Sequence, residues 1–211
     1  MSIFSGLFDR SVALRQRPIG EAAALFPETA RCVAGAVEKR RREFLTGRAC
    51  AHEALAELGA PAEALLPGPD RVPLWPAGFT GCITHTDRDC AAAACRIRHD
   101  IRSVAIDLEP AEPLPPDLWD AICRPEERAW VEAQPSTEKG VLVRAIFSAK
   151  ECAFKAQFPL TRRMLGFHEV AVELELAEER FAVTYPHGAA QCTARGRIRM
   201  ADGLIACALT L

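Results

Sequence analysis

The 211-residue sequence lacks the features that mark several common functional classes. It has no long apolar run: Cys90–Cys95 and Leu204–Leu209, its longest, are far too short to cross a bilayer. Charge of one sign is not in excess. The net charge is −2 and the isoelectric point about 6.2, so no basic field points to nucleic acid. None of the nine cysteines forms a C-x-x-C pair, and their number is odd. This excludes a zinc ribbon or a thioredoxin motif and fits free buried thiols in a reducing cytoplasm. Five scattered histidines give no H-E-x-x-H. Neither G-x-x-x-x-G-K-[ST] nor G-x-G-x-x-G occurs, so any bound phosphate must be held by side chains and not by a glycine loop. Asp9 and Arg10 fall where a signal peptide needs apolar residues, so the expectation is a cytoplasmic chain. Lysine is scarce, four against 22 arginines, yet two of the four, Lys150 and Lys155, lie within six residues.

What is present divides at a proline-rich stretch. Glu109–Pro116 has four prolines in eight residues and sets a boundary between halves 1–109 and 110–211. Each side reads as a long helix followed by strands. In the first, a helical pattern over about Ala34–Leu58 stops at Gly59 and Pro61. Strand-like runs follow at Gly81–Thr86, Cys90–Arg96 and Ser103–Glu109. In the second, short helices over Asp117–Cys123 and Pro125–Ala133 lead to a helical pattern over Ser136–Gln157, which should stop before Pro159. Strands are then expected at Glu169–Leu176, Phe181–Tyr185, Gln191–Met200 and Leu204–Leu211. The fold class is α+β, with two pseudo-symmetric halves, each a helix on a small, mainly antiparallel sheet.

Three patterns carry chemistry. In the first helix, Val37, Phe44, Leu45, Ala51, Leu55 and Leu58 form an apolar stripe that also contains Arg40 and Arg48, roughly 12 Å apart along one face. A guanidinium there must snorkel out, pair with a carboxylate, or bind a phosphate. In Ser103–Glu109, strand alternation turns Asp107 and Glu109 to one side, about 6.6 Å apart at Cα. Such a pair is either the polar face of a half-exposed strand or a site for a hard cation such as Mg²⁺. In the last long helix, Arg144, Ser148, Glu151 and Lys155 form a narrow polar stripe between two apolar arcs. Glu151 and Lys155 could pair with each other at i, i+4. A charged stripe on a helix apolar on nearly all sides must otherwise line a cavity. Lys150 falls off the stripe and reads as a solvated residue. Together these residues suggest metal-dependent phosphate chemistry.

Four motifs then show a resemblance. R-R-E-F-L-T-G-R-x-x-A-x-x-A-L (Arg41–Leu55), W-P-A-G-x-x-G-x-I-T-H (Trp75–His85), A-I-D-L-E-P (Ala105–Pro110) and F-S-A-K-E-x-x-F-K-A (Phe147–Ala156), in this order, resemble the Sfp-type 4′-phosphopantetheinyl transferases. Phe158–Phe167, F-P-L-T-R-R-M-L-G-F, looks like the subgroup of the enterobactin synthetase component D type. The sequence departs from the family at Ala105, where glycine is usual, and at Cys152–Ala153; both replacements are small.

The resemblance implies an active site in the cleft between two halves. It implies Mg²⁺-dependent transfer of the phosphopantetheine arm of coenzyme A to a serine of an acyl, peptidyl or aryl carrier protein, with release of adenosine 3′,5′-bisphosphate. By motif position, Asp107, Glu109 and Glu151 would hold Mg²⁺. Arg40, Arg48, Arg71, His85 and Lys155 would bind phosphates, with Thr84 near the nucleotide. Glu151 is the first choice to activate the serine, Glu109 the second. Arg162 and Arg163, with Phe158, Leu165 and Phe167, could form a carrier-binding loop. No nucleic-acid or membrane partner is expected, and two halves in one chain suit a monomer. The rival readings are a Mg²⁺-dependent phosphohydrolase or nuclease, and a non-catalytic module that binds coenzyme A or a carrier.

Overall fold

The structure, a computed structural model, describes residues 2–20 and 23–211. The first sheet contains β1 (Val12–Pro18), β2 (Phe79–His85) and β3 (Asp89–Arg96) in the order β1-β3-β2, all antiparallel. The central strand, β3, is built of alanine and cysteine because it is covered on both faces. Ala92 and Ala94 turn towards helix α2 (Glu38–Glu57), where they meet Ala51, Ala54 and Leu55. Ala91, Ala93 and Cys95 turn the other way, into the main core. Period-two alternation thus serves two cores instead of a core and solvent.

Small residues also let α2 approach closely. A Cβ on Gly47 would sit 2.8 Å from Ile83 Cγ2 on β2. The buried face of α2 is therefore centred on Gly47, Cys50, Ala51 and Ala54, not on the larger residues of the expected stripe. Val37 is an exposed helix cap. A strand with few bulky residues, β1, escapes the sequence reading. It is held by Ala13 in the core and by Arg15–Glu57 (2.5 Å) and Arg17–Glu53 pairs to α2. The five-residue helix α1 (Pro27–Arg31) is likewise unforeseen.

The second sheet has the order β4-β8-β7-β6-β5 and is antiparallel throughout. Its strands are β4 (Val104–Pro110), β5 (Ala171–Glu175), β6 (Arg180–His187), β7 (Ala190–Ala201) and β8 (Leu204–Thr210). Helices α3 (Trp119–Ile122) and α4 (Pro125–Glu132) precede the long helix α5 (Lys139–Thr161), which packs across β4 and β8.

Two expectations are corrected here. Strand β4, placed in the first half by the boundary at residue 109, hydrogen-bonds to β8 of the second sheet, with Asp107 opposite Cys207. The break between sheets falls between Arg96 and Val104, before the proline-rich stretch. Helix α5 does not stop before Pro159. It continues to Thr161 and ends at Arg162 in the left-handed conformation, φ 57°. Proline removes one N–H, a modest loss in a helix's last turn.

Candidate active site

The polar stripe of α5 faces the acidic side of β4. Ser148 Oγ donates to Asp107 Oδ2 at 2.7 Å, and Lys155 Nζ donates to Asp107 Oδ1 at 2.5 Å. About one turn before Ser148 on α5, Arg144 Nη1 donates to Glu109 Oε2 at 2.9 Å and its Nε to the Glu112 carbonyl at 3.1 Å. Thr84, at the end of β2, closes the junction. Its hydroxyl donates to Asp107 Oδ1 at 3.4 Å and accepts from the Leu108 amide at 3.2 Å and Lys155 Nζ at 3.4 Å. The stripe expected from the helical wheel thus owes its narrowness to one strand of carboxylates. Asp107 is 2 % exposed, so β4 is not a half-exposed strand.

The charges in this junction perturb one another. Burial alone would lower the Lys155 ammonium, but the Asp107 carboxylate outweighs it and holds the group above its ordinary value. Glu109 is raised by burial and by Asp107, against the opposing Arg144. Glu151 is raised by burial, with Lys155 opposing and Asp107 adding. Its carboxylate has no hydrogen bond or ion pair among the described residues, because Lys155 turns to Asp107 instead of its i−4 neighbour.

Beside the junction lies a cationic cleft of about 410 Å³, lined by Arg40, Arg48, Arg71 and His85 among others. Arg48 is 7 % exposed. Its Nε donates to the Leu65 carbonyl at 2.7 Å, and its guanidinium lies 4.4 Å from the Phe44 ring centre. Burial pulls its pKa down to about 10, with the Arg40 charge adding to the effect, so it remains cationic at neutral pH. No carboxylate pairs with it among the described residues, which disposes of the internal ion pair. Arg40 is exposed, with Nη1 3.4 Å from His85 Nε2 and 3.5 Å from Glu43 Oε2. His85 also lines a second groove of about 750 Å³ that contains Glu109 and Glu112. His85 is therefore common to the cationic cleft and to the groove that holds Glu109.

A buried guanidinium with no carboxylate partner among the described residues, in a cleft with two further arginines, is suited to a polyanion. The three carboxylates are hard oxygen donors, and two are raised by burial and by the neighbouring Asp107 charge, which fits Mg²⁺ chemically. They do not form a ready cage: among the described residues no three acidic, histidine or cysteine side chains are grouped to hold a metal. Lys155 and Arg144 neutralise Asp107 and Glu109 instead.

Several residues behave otherwise than expected. Lys150 is not solvated but 1 % exposed. Its Nζ donates to Glu127 Oε2 (2.7 Å), the Ile122 carbonyl (2.8 Å) and the Phe167 carbonyl (2.8 Å). Arg162 and Arg163 are already paired, with Asp70 and with Glu169 Oε1 (2.6 Å). Phe158 is buried, and Leu165 and Phe167 pack against the main core; the exposed apolar side chain of that loop is Met164. Glu43, 8 % exposed in the cleft, was not anticipated. Its only sequence signal is its i, i+3 spacing from Arg40.

Such an arrangement, a cleft with three arginines near a cluster of carboxylates, has the chemistry that suits a phosphate ester. The family follows from comparison. The model of the 4′-phosphopantetheinyl transferase N-terminal domain matches residues 28–95, and that of the 4′-phosphopantetheinyl transferase superfamily matches 103–207. They meet at the break between the two sheets. The chain is 41% identical to 4′-phosphopantetheinyl transferase Npt of Nocardia iowensis over 152 residues, covering 72% of this chain and 67% of that protein. It is 44% identical to 4′-phosphopantetheinyl transferase PptT of Mycobacterium tuberculosis over 151 residues, 71% of this chain and 65% of the relative. Enterobactin synthase component D of Salmonella typhi is 35% identical over 120 residues, 56% and 48% of the two chains. The chain belongs to the 4′-phosphopantetheinyl transferase superfamily, and its matches span about two thirds of the length of the first two relatives.

Proposed function

We propose that the protein transfers the 4′-phosphopantetheine arm of coenzyme A to a serine of an apo carrier protein. The observation that carries this reading is the Asp107 junction, where Ser148 and Lys155 of α5 meet Asp107 of β4 beside Thr84, whose chain neighbour His85 lines the arginine cleft. The membership of the chain in the family supplies the substrate. Arg40, Arg48, Arg71 and His85 would bind the phosphates of coenzyme A, with Thr84 near the nucleotide. Lys155 would neutralise charge at the diphosphate from its seat on Asp107.

Glu151 is the better base of two. A carboxylate raised by burial and free of partners can accept the serine proton, whereas Glu109 is held by Arg144. The serine oxygen forms a bond to the phosphorus that carries pantetheine. The bond from that phosphorus to the bridging oxygen breaks, and its electron pair leaves with adenosine 3′,5′-bisphosphate. Asp107, Glu109 and Glu151 would hold Mg²⁺, which when bound supplies charge neutralisation on the phosphoryl oxygens.

The relatives include an enterobactin synthase component, which favours a carrier of siderophore, polyketide or nonribosomal peptide synthesis. On this reading the reaction belongs to the cytoplasm, and one chain that carries both sheets suits a monomer. Among the described residues no helix is long and apolar enough to cross a membrane. The test is the intact mass of an apo carrier after incubation with the protein, coenzyme A and Mg²⁺. A gain of one phosphopantetheine is expected. An unchanged carrier beside hydrolysed coenzyme A would favour a phosphohydrolase, and binding without either product a non-catalytic module.

A further inference from the structure

One contact joins the cationic cleft to the second half at a place the reaction scheme does not use. Arg71 sits in a tight turn between Pro67 and Pro73, which pair as an isolated bridge. Its φ is +66°, an uncommon conformation for any residue but glycine. The turn is closed by its own backbone: Gly68 N–H donates to the Val72 carbonyl at 2.8 Å, and Arg71 N–H to the Gly68 carbonyl at 2.9 Å. Asp70 adds a side-chain bond, its Oδ1 accepting from the Val72 amide at 3.2 Å. Gly68 leaves room for this carboxylate, since a Cβ there would lie 3.2 Å from Asp70 Oδ1.

The other oxygen of Asp70 reaches across the molecule. Asp70 Oδ2 accepts from Arg162 Nη1, a partner 92 residues away at the end of α5. Arg162 is itself in the left-handed conformation, its N–H bonded to the Phe158 carbonyl and its guanidinium 5.7 Å from the Phe158 ring centre. The guanidinium of Arg71 has no hydrogen bond or ion pair among the described residues. Its place in the cleft therefore depends on the turn, and the turn is held from outside by Arg162.

We infer that Asp70 and Arg162 are positioning residues for Arg71: their ion pair holds the turn that presents Arg71 to the cleft, so that α5 of the second half sets part of the phosphate grip of the first. This rests on the reading of the cleft as the site for coenzyme A phosphates. The pair is largely exposed, with side chains 32 % and 58 % accessible, so it contributes little to global stability. Its effect should be local.

The test combines Arg162→Gln and Asp70→Asn with Arg71→Ala, read by hydrogen exchange and by steady-state kinetics. Asp70→Asn keeps an acceptor for the Val72 amide but loses the charge. Both single variants should exchange faster at the Gly68, Arg71 and Val72 amides, with an unchanged melting temperature. The KM for coenzyme A should rise about two- to five-fold in each, the scale of an exposed ion pair, with kcat unchanged. The double variant should be no worse than either single one. In the Arg71→Ala background, neither change should raise KM further. Unchanged exchange in both variants, or an equal further rise in KM without Arg71, would overturn the inference. Should the native protein neither bind nor use coenzyme A, the functional reading falls, and the exchange data alone decide whether the pair holds the turn.

Discussion

Helix α5 carries two lysine–carboxylate pairs five residues apart, and they are built on opposite principles. Lys150 is sealed in, and its three protons go to Glu127 and to two carbonyls. Glu127 is equally saturated, accepting from the Arg124 and Val172 amides as well. Lys155 is 27 % exposed on its side chain, shares Asp107 with Ser148 and Thr84, and stands beside the partnerless Glu151. A saturated pair cannot bind anything else. It ties α3, α4, the turn at Phe167 and β5 to one helix. The unsaturated pair is partly exposed and leaves Glu151 beside it without a hydrogen bond or ion pair among the described residues, the kind of perturbed cluster that marks a candidate functional site.

Removing the open pair should destroy function and spare the fold. Asp107→Ala is expected to cut carrier loading by about 10³-fold or more, the scale of losing an electrostatic group at a transition state. Far-ultraviolet circular dichroism should be unchanged, and retained loading would refute the role of the junction. The closed pair should behave in the reverse way. Lys150→Met leaves the Glu127 charge buried without its partner and should cost about 3–5 kcal/mol in denaturant unfolding. Adding Glu127→Gln should recover part of that loss, since Gln keeps an acceptor and removes the charge. A Lys150→Met protein as stable as the native one would break the contrast.

The difference between these lysines was only half legible in the sequence. The wheel of α5 isolates Arg144, Ser148, Glu151 and Lys155 because a confined stripe on an apolar helix needs a polar counterpart. That counterpart, Asp107 and Glu109, was visible as alternation in a short strand. Lys150 was not legible, because its partners Ile122, Glu127 and Phe167 come from three separate segments and two of the acceptors are backbone carbonyls. The membership of β4 in the second sheet was hidden for a related reason: strand pairing over a hundred residues leaves no local mark. Arg48 was found through its place on α2, although the helix buries a face of small residues that the pattern of large ones did not reveal.

The cleft offers smaller, graded tests of the same contrast. Arg48→Ala should weaken coenzyme A binding by about 10- to 100-fold, the range of one or two charge-assisted hydrogen bonds, and affect kcat less. An unchanged binding isotherm would remove Arg48 from the site. Mg²⁺ at ten times its dissociation constant should stabilise the native protein by about 1.4 kcal/mol in thermal unfolding. Asp107→Asn should abolish that gain, while Lys150→Met should keep it from a lower starting point. Equal stabilisation of the Asp107→Asn protein would place the ion elsewhere.

The most direct test of the central claim compares native, Asp107→Ala and Glu151→Gln proteins incubated with coenzyme A, Mg²⁺ and an apo carrier, with carrier mass and adenosine 3′,5′-bisphosphate measured together. The native protein should yield the two products in equal amounts, and both variants should yield neither while remaining folded. Full loading by either variant would contradict the placement of the reaction at the junction of α5 and β4.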